Sequence, residues 1–94
     1  MLQWNRSNTL KSIVPSTPGI YKFYDTNRRL LYVGHAKNLR HRVQSYRQDD
    51  DYREHPTKTA LRQKIRYYQY IPMPVNKARD VEKGVKKYAR YNYL

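Results

Sequence analysis

Two tyrosines, an arginine, a histidine and a pair of late acids are the side chains whose types and spacing point to chemistry. Tyr21 and Tyr32 each lie in a short aromatic and branched run. A free phenol ionises near pH ~10, so proton transfer through either one needs help from a nearby cation or metal. In a chain with 11 Tyr, the ordinary role of a strand tyrosine is packing. Arg42 carries a planar fork of donors suited to a phosphate. His35, directly after the second run, can touch a phosphate or assist Tyr21 if the two lie close. Asp80 and Glu82 are the acids of a terminal segment crowded with Lys77, Arg79, Lys83, Lys86 and Lys87. Glu82 could simply pair with Lys86 one helical turn on, a contact worth a few tenths of a kcal/mol. His41 and His55 read as surface residues, and no two histidines have metal-site spacing.

The elements that must hold these groups follow from periodicity. Residues 1–14 show no period and read as a lead-in, and Pro15 and Pro18 bracket a turn. Gly19–Tyr24 and Leu30–Gly34 read as strands joined through the polar Asp25–Arg29, an antiparallel hairpin. If the hairpin turns on Thr26 and Asn27, Tyr21 and Tyr32 stand opposite each other. Asn38 is a good cap for a helix from 38 to about 47, with Leu39, Val43 and Tyr46 as its apolar stripe. Arg42 falls about 60° from Leu39, at one edge of that stripe, where it can reach across the sheet. Arg40 lies about 100° away on the other edge, beside Arg47, and both suit a solvated face that contacts a nucleic-acid backbone.

The segment 48–56 reads as a loop, and Thr57 to about Tyr67 as a helix. A third strand follows over Tyr68–Val75, its prolines suggesting a frayed or edge position. Asn76 or Lys77 opens a last helix with Ala78, Val81, Val85 and Tyr88 on one face. Asp80 and Glu82 flank that face on opposite sides, and the helical pattern does not choose between them. The order β-β-α-α-β-α predicts an α+β domain over residues 15–94, a small three-stranded antiparallel sheet flanked by helices.

The 94 residues suffice for one such unit. The formal net charge is +13, from 20 Lys and Arg against 7 Asp and Glu, which calls for a polyanionic partner. Nucleic acid fits best, since tyrosines can stack on bases or bond phosphates. An anionic membrane is the rival, but the sequence shows no long apolar run, lipidation signal or signal peptide. The absence of cysteine excludes a disulfide framework and a cysteine-rich zinc site. A cytoplasmic, intracellular location and no organic cofactor are expected.

Gly19-Ile20-Tyr21 and Tyr32-Val33-Gly34 resemble the paired motifs of the GIY-YIG nuclease superfamily. The stretch His35-Ala36-Lys37-Asn38-Leu39-Arg40-His41-Arg42-Val43-Gln44-Ser45-Tyr46 is similar to the N-terminal nuclease domain of the bacterial excision-repair protein UvrC. The likeness continues through Lys58–Leu61, Tyr70-Ile71 and Val81–Tyr88, spanning residues 15 to 92. His35 departs from it, standing where such sequences often carry lysine.

The resemblance implies metal-dependent hydrolysis of DNA phosphodiesters by Tyr21, Tyr32, Arg42 and Glu82. Tyr21 would deprotonate or position the attacking water with Tyr32 in support, while Arg42 neutralises the phosphoryl group. Glu82 would be the metal ligand, and one carboxylate with several waters suits Mg²⁺ or Mn²⁺. Counting back from Tyr91-Asn92, which resembles a late Tyr-Asn of the family, points to Asp80 instead. His35, Lys37, Asn38, Arg40, Arg47 and Asn92 are expected to contact DNA. One site per domain implies nicking. The rival functions are a catalytically inactive nucleic-acid-binding module on the same fold and a basic RNA-packing protein.

Overall fold

A computed structural model describes residues 2–4, 14–45 and 61–90. Its strands are β1 (Leu2–Gln3), β2 (Gly19–Tyr24), β3 (Leu30–Ala36) and β4 (Tyr67–Pro72). The helices are α1 (Leu39–Ser45) and α2 (Val75–Val85), the latter running into a 3₁₀ turn at Lys86–Tyr88. Residues 61–64 are also helical. The strands form one antiparallel sheet in the order β1-β4-β2-β3. The α+β architecture is therefore as expected, with four strands rather than three. The extra strand is two residues of the lead-in, too short to leave a period in the sequence. Trp4 follows it and packs edge-on against Phe23 and Tyr68.

Alternation along β2 divides the core between two faces. Tyr21 and Phe23 point to one side with Val14, Leu39, Val43, Leu61, Ile65 and Tyr68. Ile20 points to the other, with Val33, Ala78 and Ala89 and the partly buried Val81 and Val85. Thus α1 and the 61–65 segment cover one face, and α2 covers the other.

The hairpin corrects the expected register. Tyr21 pairs with Gly34, and Tyr32 with Phe23. The two-residue offset has two causes, a turn that closes on Asp25 and Arg29 and a bulge: the ladder shifts between Phe23 and Tyr24, the latter pairing with Leu30. Leu31 is the residue in excess, and its side chain joins Tyr32 on the α1 face. The turn is widened by Arg28, whose φ of 61° is left-handed. Asp25 holds it there, its Oδ1 accepting hydrogen bonds from the backbone N–H groups of Asn27 and Arg29, each at 2.9 Å.

Two helix ends also move, and one strand expectation holds. The helix expected to run to about Tyr67 ends earlier, because Tyr67 pairs with Tyr24 in the sheet. Strand β4 is internal only where β1 covers Tyr67 and Tyr68, so its proline end still lies on an edge. Tyr88 was expected on the buried face of the last helix. It is 71 % exposed, beyond the end of the α-helix at Val85 and in the 3₁₀ turn that follows. No helix among the described residues is long and apolar enough to cross a membrane.

Candidate active site

The bulge sets up the tyrosine pair. Although not directly opposite, Tyr21 and Tyr32 share a face, and their rings stack with centroids 6.0 Å apart. Phe23 lies against both. The residue opposite Tyr21 is Gly34, and the phenol lies across it. A Cβ added at Gly34 would stand 2.4 Å from the Tyr21 Cζ and hydroxyl oxygen. The glycine is required because the tyrosine fills the place of its side chain. Tyr21 is only 1 % exposed, so its ring has one seat.

One residue further along β3, His35 points to the other face, toward α2. Its Nδ1 lies 2.7 Å from Oε2 of Glu82. Helical spacing explains the choice of acid. Glu82 follows the buried Ala78 by one turn, whereas Asp80 is turned outward and exposed. The His35 and Glu82 side chains keep 31 % and 18 % of their exposure, so the pair is desolvated only in part.

Helix α1 brings Arg42 to the same place. His35, Lys37, Asn38, His41, Arg42 and Arg79 line a groove of about 410 Å³ between the start of α1 and the start of α2. Arg79 was not singled out from the sequence. It looked like one more cation on a solvated helix, and only the packing of α2 on β3 turns it toward the groove.

The N-terminus of α1 is fixed by its surroundings. The N–H groups of Leu39 and Arg40 donate to the carbonyls of Thr17 and Pro15, and that of His41 to Oδ1 of Asn38. Asn38 is thus the expected cap, with its carboxamide oxygen already engaged. Arg40 differs from its expected solvated state. It is half-buried, and its Nε donates to the carbonyl of Val14 at 2.8 Å, tying the lead-in to the helix. Arg47 and Asn92, together with Tyr46, lie outside the described residues.

Among the described residues, no three His, Asp or Glu side chains gather into a metal cage. A part-exposed carboxylate against a histidine of the groove, as Glu82 is against His35, is instead a donor around which a hydrated Mg²⁺ keeps most of its waters. Such an ion fits the residues present.

An antiparallel sheet with Gly-Ile-Tyr on its central strand and Tyr-Val-Gly on the adjacent one, covered by helices on both faces, defines a GIY-YIG domain. More narrowly, the chain belongs to the family of UvrC-like GIY-YIG domains, which its residues 17–77 match. It is 61% identical over 36 residues to the UvrABC system protein C of Corynebacterium glutamicum (strain R), covering 38% of this chain and 5% of that protein. With the same protein of Cytophaga hutchinsonii it shares 37% identity over 70 residues, 74% of this chain and 12% of the relative. The chain thus corresponds to a small part of these much longer relatives. Among solved structures, the GIY-YIG N-terminal endonuclease domain of UvrC from Thermotoga maritima, bound to its catalytic magnesium, superposes with a TM-score of 0.70. The match is at 24% identity and covers 87% of this chain and 93% of that one, so the two share a fold.

Proposed function

We propose that this domain is a divalent-metal-dependent DNA endonuclease that nicks one strand per visit. The observation that carries the reading is the contact between Glu82 and His35, a histidine that lines one groove with Arg42 and stands one residue from the glycine beneath Tyr21. Glu82 would hold Mg²⁺ or Mn²⁺, which when bound lowers the charge on the phosphoryl and leaving oxygens. Tyr21, seated by Gly34 and backed by the Tyr32 ring, orients the attacking water and takes its proton. Arg42 offers its fork to the scissile phosphate, and Arg79 adds a second positive charge across the groove. Lys37 and the Asn38 carboxamide nitrogen would hold neighbouring phosphates, and Arg47 and Asn92 are expected as further contacts. DNA as the substrate accords with the net charge of +13 and with an intracellular setting.

The test is nicking of supercoiled plasmid, with flap, branched and lesion-bearing duplexes beside it. Wild type is expected to cut in Mg²⁺ or Mn²⁺ and to stop in chelator. Glu82→Ala should bind DNA but not cut, while Asp80→Ala should cut normally. Binding in chelator without cleavage under either metal would instead identify a non-catalytic DNA-binding module.

A further inference from the structure

We infer that His35 is a second protein ligand of the divalent ion, so that this domain selects Mn²⁺ over Mg²⁺. The inference rests on the reading of Glu82 as the metal-holding residue and extends it to a neighbour. Nδ1 of His35 and Oε2 of Glu82 are 2.7 Å apart. Two donors each about 2.1 Å from one ion, at right angles in an octahedral shell, stand about 3.0 Å from each other. Release of the proton that the two atoms share, with a few tenths of an ångström of side-chain motion, therefore converts the pair into two adjacent ligands. Both side chains are partly exposed and come from different elements.

The electrostatics of the groove favour this second ligand. Lys37, Arg42 and Arg79 line the groove with His35, and a single carboxylate beside such a cationic groove holds a divalent ion weakly. Neutral imidazole adds a bond without adding charge. It also changes the preference, because imidazole nitrogen suits transition ions while Mg²⁺ prefers oxygen. The lysine that UvrC-like sequences often carry here offers no lone pair while charged.

The experiment is metal binding by the intact chain, with Mn²⁺ followed by electron paramagnetic resonance and Mg²⁺ by competition. Pulsed spectra of bound Mn²⁺ are expected to show coupling to one imidazole nitrogen, lost in His35→Ala and retained in His41→Ala. His35→Ala should weaken Mn²⁺ binding about tenfold and Mg²⁺ binding much less. Circular dichroism checks that each variant is folded. Mn²⁺ that binds in a Glu82-dependent way without nitrogen coupling would overturn the inference and leave the Glu82 site standing. Coupling that disappears in His41→Ala instead would also overturn it. Binding unchanged in Glu82→Gln would remove the Glu82 site itself, and the inference with it.

Discussion

Gly34 has no side chain because Tyr21 occupies the place where one would be. In Gly34→Ala the new Cβ would meet the Tyr21 Cζ and hydroxyl at 2.4 Å, so the phenol must move. Overpacking of this kind costs about 1–3 kcal/mol. A displacement of about 1 Å at a reacting group can cost about 100-fold in rate. Gly34→Ala is therefore expected to lower both the denaturation midpoint and the nicking rate, while DNA binding in chelator stays near wild type. Gly19→Ala is the useful contrast. Its Cβ would strike the Ile71 carbonyl oxygen and Leu39, away from the tyrosine hydroxyl, and should cost stability more than turnover per folded molecule. Equal rate losses per folded molecule in the two variants would argue against a special seat for Tyr21. Two motif glycines were visible in the sequence, but not that one of them accommodates a phenol. That depends on register, which the bulged residue and the longer turn decided together.

At the scale of elements, the caps and turns were legible because their chemistry is local. Asn38 three residues before His41, and Asp25 ahead of Asn27 and Arg29, need only neighbouring backbone to act. Asn38→Ala should cost about 1 kcal/mol, read as a lower thermal midpoint, and should loosen the helix that carries Arg42. Asp25 gives a pH signature. The Arg29 backbone N–H is the main cause holding its carboxyl below the usual carboxylate range, and the Asn27 N–H adds to it. The folded state therefore favours the carboxylate. That contribution is intact above the unfolded value of about 3.9 and is lost as pH falls through the lower folded one. Asp25→Ala should thus show a shallower loss of stability with acid than wild type, measured by denaturation between neutral pH and the acid side of that range. What could not be read locally was β1, whose two residues gain order from pairing with Tyr67 and Tyr68 and from Trp4 behind them. Nor was the turn at Lys86–Tyr88 legible, since an apolar residue at helical spacing looks buried whether or not the helix continues. Which of Glu82 and Asp80 meets His35 is of the same kind: both flank the stripe, and only the position of β3 separates them.

For the whole molecule, the excess of 20 cations over 7 acids predicts a steep salt dependence of DNA binding, which also sorts the arginines by role. Each phosphate neutralised contributes about 0.9 to the slope of log affinity against log salt on duplex DNA. Arg42 faces the groove, so Arg42→Ala should flatten that slope by about 1 and reduce cutting more than binding. Arg40, two residues earlier, is occupied with the Val14 carbonyl. A hydrogen bond from a charged donor is worth about 1.5–3 kcal/mol, and its loss would free the buried Val14 from the helix. Arg40→Ala should therefore lower stability and leave the salt slope nearly unchanged. The measurement is a filter-binding or anisotropy titration at several salt concentrations, paired with chemical denaturation of each variant. If Arg40→Ala flattened the slope and left the midpoint alone, Arg40 would be a backbone contact after all, and its bond to Val14 would give way when DNA binds. The two arginines share a helix and a charge, and differ only in which side of the apolar stripe meets the groove. Net charge thus predicts that the domain binds a polyanion, while the sheet and its two covering helices decide which cations are left to do so.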